Sequence, residues 1–261
     1  MKLLDHHMHS DISFDSRELI ENYLKLSENS IITTEHLDFQ DPSGGYVDRI
    51  PDYDRHRKIA KELNDLYNNR VFVGIEVGWT EVSNDQILSF LDSKSYDLVL
   101  LSVHQNGHAD YLEKDKFEGV SKQSIIEHYF NDLLKAVIAM KEHVDVLTHF
   151  DYGFRVHDVS VKDLEDHGRS VFESICALII EHDIAFELNT SSMYKHKNLD
   201  LHSWAIPIYK SLGGSRFVLG SDAHSKYEYQ RNFGDAVDYL KSLGVSEVVE
   251  LYDGDVRFVS I

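Results

Sequence analysis

The chain has 261 residues, 42% hydrophobic and 27% charged, enough for one sizeable core. A formal charge of −19, with 26 Lys and Arg scattered among 45 Asp and Glu and no basic groove, excludes long nucleic acid as a partner. No apolar run approaches the roughly 18–20 residues of a membrane helix, Asp5 interrupts the apolar start too soon for a secretory leader, and the lone Cys176 forms no internal disulfide, so a cytoplasmic protein is expected.

Apolar runs alternate with amphipathic stretches along the chain. Leu3-Leu4 runs into Asp5-His6-His7-Met8-His9, and residues 17–28 then place Leu19, Ile20, Tyr23, Leu24 and Leu26 broadly on one helical face. Ile31-Ile32-Thr33-Thr34 ends on Glu35-His36, and a long loop is expected over 36–51. A helix is predicted over Tyr53–Tyr67, where Ile59, Ala60, Leu63, Leu66 and Tyr67 recur at helical spacing. Residues 71–75 lead to Glu76, and a short helix over 85–91 precedes the run 98–103, which ends on His104. A second long loop, 104–120, gives way to the strongest helical period at 121–142, carried by Ile125, Ile126, Tyr129, Phe130, Leu133, Leu134, Val137, Ile138 and Met140. The run 144–148 ends on His149, a helix is predicted over 161–181, and the run 184–188 ends on Asn189. A helix over 201–212 stops at Gly213-Gly214, the run 217–220 meets Ser221-Asp222-Ala223-His224, and a helix over 228–243 stops at Gly244. Residues 247–251 read as an extra strand.

The seven runs are continuously apolar, as expected when both faces of a parallel sheet are buried. An open doubly wound sheet and a closed barrel both fit this order. In an open sheet, only strands near the switch point bring their C-terminal ends to one site. Here every run ends on His, Asp, Glu or Asn, so closure explains more. The expected fold class is α/β, a distorted (β/α)7 TIM-like barrel of one domain over 1–261, with its active site at the C-terminal ends of the strands. The loops 36–51 and 104–120 leave strand ends and are placed to cover that site.

His7 and His9 stand two apart, so in a strand their rings face the same side and can grip one cation. Alone, such a pair occurs by chance among 16 His. Glu76 alone would be a solvated rim residue, but a carboxylate can bridge two cations about 3.5–4 Å apart. His36, His104 and His149 close further strands, Asp222 and His224 repeat the two-apart spacing, and Asp15 lies in the first loop. The other ten His, such as His56, His128, His143, His167 and His182, read as ordinary surface residues. Nine candidate ligands exceed one metal's needs and, with one bridging carboxylate, suit three divalent cations. The mixture of imidazole and carboxylate suits Zn, Fe or Mn.

Together these residues resemble the PHP family, named for its polymerase and histidinol phosphatase members. The resemblance covers nearly the whole chain: His7-Met8-His9, Glu35-His36, Gly74-Ile75-Glu76, Ser102-Val103-His104, Thr148-His149-Phe150 and Ser221 to His224. Within the family the chain is similar to the stand-alone histidinol-phosphate phosphatases, through Glu187-Leu188-Asn189-Thr190-Ser191 and Gly74-Ile75-Glu76-Val77. It departs from them at Ser192 in place of glycine, Glu35 in place of aspartate, and Asp15 where some members have histidine. The resemblance implies one cation on His7, His9, Glu76 and Asp222, a second on Glu76, His104 and His149, and a third on Asp15, His36 and His224. It also implies hydrolysis of L-histidinol phosphate in histidine biosynthesis.

The expected chemistry is hydrolysis of a small phosphate monoester, with water activated by metals that share Glu76. Arg155, six residues after His149, is the candidate for meeting the phosphate oxygens bidentately. A metal-bound water, Asp222 or His224 is the candidate to give the leaving alkoxide its proton. Asn189 is left for substrate contact or support, and Glu113, Asp115 and Glu118 for an acidic mouth facing the substrate amine. The rivals are a PHP phosphoesterase for nucleotides or other small esters, an amidohydrolase and a non-catalytic metal-binding barrel. An amidohydrolase leaves Glu76, His36 and His224 unexplained, and a non-catalytic barrel is expected to have lost ligands.

Overall fold

A computed structural model describes residues 2–261. β1 (Ile31–Asp41) folds back on β2 (Val47–Arg49) as an antiparallel hairpin. β1 then pairs with β3 (Val71–Gly78), followed in order by β4 (Leu98–Ser102), β5 (Val146–Leu147), β6 (Ala185–Asn189) and β7 (Phe217–Gly220), every neighbour parallel.

The N-terminal segment closes this sheet into a barrel. On one side His6 N donates to Leu219 O at 3.0 Å, Asp222 N to His7 O at 2.8 Å and His9 N to Ala223 O at 2.8 Å. On the other, Thr34 N donates to Met8 O at 2.7 Å. The seventh stave therefore lies where the sequence places a strand, but its ladder is irregular. The Asp5 carboxylate accepts from Ser221 N at 2.9 Å, and the Thr34 hydroxyl accepts from Met8 N at 3.2 Å, so side chains stand in for backbone partners.

Leu4, Ile32, Leu98, Leu100, Val146, Ala185 and Val218 fill the barrel interior below the site. Val249 and Leu251 of β8 (Glu247–Tyr252) pack into the same layer. The extra strand is thus real, but it pairs with β9 (Asp255–Ser260) in a hairpin that stoppers the barrel instead of joining its wall.

The helices are α1 (Ile20–Leu24), α2 (Tyr53–Tyr67), α3 (Asn84–Asp92), α4 (Lys122–Met140), α5 (Val161–His167), α6 (Arg169–Glu181), α7 (Leu199–Ser211) and α8 (Phe233–Ser242). Three differ from the sequence expectation. α1 is short because Ser16 Oγ is bound to His224 O at 2.9 Å and Asp11 N to Glu18 O at 2.8 Å, holding the preceding chain as a loop. The helix over 161–181 is broken at Gly168, where a side chain would meet Phe130 of α4 at 2.6 Å. α8 starts late because Gln230 N and Nε2 are held by Asp5 Oδ2 and Leu3 O, at 3.1 and 2.6 Å. Leu19, Leu26, Leu66 and Ile138, assigned to apolar faces, are exposed. The loop expected over 36–51 is largely the β1–β2 hairpin. Among the described residues no helix is long and apolar enough to cross a membrane.

Candidate metal centre and pocket

Glu76, near the end of β3 and fully buried, is the hub. Register pairs it with His36 on β1 and Leu100 on β4. Its Oε1 lies 2.8 Å from His149 Nε2 and 3.1 Å from His104 Nε2. Its Oε2 lies 2.9 Å from His36 Nδ1, 3.3 Å from His7 Nε2 and 3.6 Å from His9 Nε2. Asp222 Oδ1 faces His9, His224 and His7 at 3.6, 3.7 and 3.8 Å. Asp15 Oδ2 bridges His224 Nε2 at 3.0 Å and His36 Nε2 at 3.3 Å on the pocket rim. All nine side chains expected to hold metal therefore converge.

Their grouping is more interleaved than expected. Ligand atoms of His7, His9 and Glu76 lie within 4.8 Å of one another, as do those of His7, His149 and Asp222, of His36, Glu76 and His104, and of His9, His36 and His224. His9 thus faces two groups, and so does His36.

The donors suit cations. His7 Nε2, His9 Nε2, His36 Nδ1 and Glu76 Oε2 are buried and crowd one another without an aligned hydrogen bond among the described residues. Leaving such groups unmet costs about 1–3 kcal/mol each, and their convergence on one volume is what a divalent ion would satisfy. Electrostatics agree. Burial pushes the Glu76 carboxyl up, but His7, His104 and His36 outweigh it and hold the group well below the usual range. Burial likewise opposes the charge on Asp222, and His7, His9 and Arg155 hold it ionised. The same carboxylates raise His7 well above its ordinary value against burial, and Asp38 and Glu76 lift His104 to about 10. Where the neighbours are other imidazoles the sign reverses, and burial with His36 and His224 takes His9 down to about 4.

Buried acceptors orient the rings. Glu187 Oε1 holds His7 Nδ1 at 2.8 Å and its Oε2 accepts from His149 N at 2.7 Å. Asp38 Oδ1 holds His104 Nδ1 at 2.9 Å. Each carboxylate keeps its imidazole's Nε2 aimed inward. Glu35, whose side chain turns away from the cluster, accepts from Ser10 N, Ser10 Oγ and Ser13 Oγ at 3.0, 2.6 and 2.7 Å, and so shapes the loop leading to Asp15.

Above the cluster opens a pocket of about 410 Å³. β1 and the loop after β4 contribute Asp38, Asp41, Gln105 and Asp110 to it, and the segments after β5 and β6 contribute Arg155, Lys195 and His196. Arg155 is therefore at the site, with Nη2 3.2 Å from Asp222 Oδ2. Asn189 is buried behind it, accepting from Ser192 N at 2.8 Å and donating to Glu187 Oε2 at 3.2 Å. Glu113, Asp115 and Glu118 do not line the pocket, and Asp41 and Asp110 supply its acidic side instead. Four of the His expected at the surface are buried: His6, His56, His157 and His202. They are structural, as with His6 Nε2 accepting from Leu251 N at 3.1 Å and His56 Nε2 against Thr33 Oγ1 at 2.8 Å.

The family model described as "PHP domain" matches residues 5–191. The chain is 30% identical over 257 residues to a probable histidinol-phosphatase of Clostridium acetobutylicum, covering 94% of this chain and 96% of that one. It is 28% identical over 259 residues to the histidinol-phosphatase of Lactococcus lactis subsp. lactis, covering 95% and 94%. A crystal structure of histidinol phosphate phosphatase from Lactococcus lactis, complexed with Zn, L-histidinol and phosphate, superposes with a TM-score of 0.86 over 98% of this chain and 99% of that one, at 24% identity. That likeness establishes the TIM-like barrel.

Proposed function

This chain belongs to the PHP domain family, and we propose that it is a phosphate-monoester hydrolase that converts L-histidinol phosphate and water to L-histidinol and phosphate. The observation that carries this reading is the convergence of His7, His9, His36, Glu76, His104, His149 and Asp222 beneath a pocket lined by the Arg155 guanidinium and by the Asp41 and Asp110 carboxylates. Full-length similarity to two histidinol-phosphatases supports the substrate.

The cluster is a divalent-metal site, and we assign it three ions of Zn, Fe or Mn. His7, His9, Glu76 and Asp222 would hold one, Glu76, His104 and His149 a second, and Asp15, His36 and His224 a third. Bound cations supply a water acidified to near neutrality and Lewis acidity toward phosphate oxygens. The chain's own residues do the rest. Glu76 and Asp222, kept ionised, balance the cationic charge. Arg155 neutralises charge on the phosphoryl group as the bond from phosphorus to the alcohol oxygen breaks and that to the water oxygen forms. The departing alcohol oxygen takes up the proton that the attacking water gives up, on the side of the pocket lined by Asp222 and His224. Asn189 supports Arg155 and Glu187 from behind. Asp110 gives the substrate's ammonium a counter-charge in the pocket.

We read residues 1–261 as one barrel domain. The unpaired, buried Cys176 supports a cytoplasmic setting. The test is phosphate release from histidinol phosphate against a panel of nucleotides and sugar phosphates, with and without a chelator. Histidinol phosphate should give the highest kcat/KM and chelation should abolish it. A nucleotide turned over faster would replace this substrate.

A further inference from the structure

We propose that Ser192 is a positioning residue that aims Arg155 at the phosphate, an inference that rests on the phosphoesterase reading above. The Arg155 side chain is only 5% exposed. Its Nε donates to Ser192 Oγ at 2.8 Å, and its Nη2 donates to Asp222 Oδ2 at 3.2 Å and Asn189 Oδ1 at 3.4 Å. The guanidinium carbon sits 4.9 Å from the Tyr152 ring centroid. Among the described residues Nη1 makes no hydrogen bond, and Arg155 lines the pocket.

A guanidinium is planar, so two anchored nitrogens fix the direction of the third. Asp222 and Asn189 both hold the Nη2 end. Ser192 alone holds Nε, and without it the plane can swing about the Nη2 contacts. Ser192 is itself immobile. It is fully buried, its N donates to Asn189 Oδ1 at 2.8 Å, and its carbonyl accepts from Asn198 N at 3.0 Å. Asn189 Oδ1 therefore ties the turn that carries Ser192 to the guanidinium that Ser192 orients.

The experiment uses metal-loaded protein and two ligands, inorganic phosphate by calorimetry and histidinol phosphate by kinetics. Ser192→Ala and Ser192→Gly should each weaken phosphate binding and lower kcat/KM about tenfold, the size of a lost hydrogen bond to a charged group, with metal content unchanged. Ser192→Thr, which keeps the hydroxyl, should restore most of the affinity. In an Arg155→Ala background, Ser192→Ala should change nothing further. An equal loss in both backgrounds, or unaltered phosphate affinity in the Ala and Gly variants, overturns the proposal. Phosphate binding does not depend on the ester. If histidinol phosphate is not hydrolysed while Ser192→Ala still weakens phosphate binding, the substrate assignment fails and this inference stands.

Discussion

Glu187 reaches His7 only because residue 220 has no side chain: a Cβ on Gly220 would lie 2.0 Å from Glu187 Oε1 and 2.7 Å from His7 Cβ. The carboxylate cannot simply turn aside, because it also accepts from His149 N at 2.7 Å and Asn189 Nδ2 at 3.2 Å. Gly220→Ala should therefore displace Glu187 from the His7 ring and weaken metal binding about 10–100-fold, the usual consequence of losing a ligand's orienting partner. Competition with a chelator, read by elemental analysis, measures this. Gly78 does the same for Asp38 and His104, with a Cβ falling 1.8 Å from Asp38 Oδ1.

Glu76→Ala removes the one side chain that faces His7, His9, His36, His104 and His149. The expected result is loss of bound metal and a fall in kcat/KM of more than about 100-fold, beyond that of an orienting partner. Metal content per chain and phosphate release give the answer together. A variant with full metal content and normal turnover would remove Glu76 as the shared ligand.

The barrel and its nine converging side chains were legible because both write themselves as period and position. A buried parallel strand is a continuous apolar run, and the polar residue that ends the run lies at the mouth. Asp38 and Glu187 were not assigned roles for the opposite reason. Each acts through a ring far away in sequence, Asp38 on His104 and Glu187 on His7, and such pairing leaves no local pattern. The glycines at 78 and 220 are the traces these carboxylates leave, yet a glycine at a strand end reads equally as a turn. His6 and His56 were misplaced because a His in a short polar stretch looks exposed until tertiary structure supplies an acceptor or donor.

His6 should make the protein sensitive to mild acid. Burial lowers its pKa to about 4, against the opposing pull of Leu219 O and Glu187. The folded value lies below the unfolded one of about 6.5, so the unfolded chain binds the extra proton first. The contribution is fully present above pH 6.5 and is lost as pH falls toward 4. At pH 5 the loss amounts to about 2 kcal/mol. Asp5, raised by burial to about 6, opposes this, since folding favours its protonated form. Comparison with His6→Gln isolates the histidine: denaturation midpoints at pH 7 and pH 5 should shift less in the variant than in the parent. Equal shifts would mean that His6 is not the group that titrates.

Among the described residues, Asp110 is the pocket carboxylate without an ion-pair partner. Asp41 is paired with Arg49 at 3.1 Å, Asp38 with His104 at 2.9 Å, and Asp15 with His36 and His224. Asp110 instead accepts from Leu112 N at 2.7 Å and the Tyr152 hydroxyl at 3.1 Å, and burial raises its pKa. Neutral donors orient the carboxylate without cancelling its charge, which leaves that charge for the substrate's ammonium. Asp110→Asn keeps the shape and removes the charge. KM for histidinol phosphate should rise about tenfold, equivalent to about 1.4 kcal/mol, with kcat little changed because the charge reads the amine and not the reacting phosphate. A phosphate monoester without an amine should be hydrolysed as well as by the parent. Equal losses on both esters would assign Asp110 to holding Tyr152 and the pocket shape instead of to reading the amine.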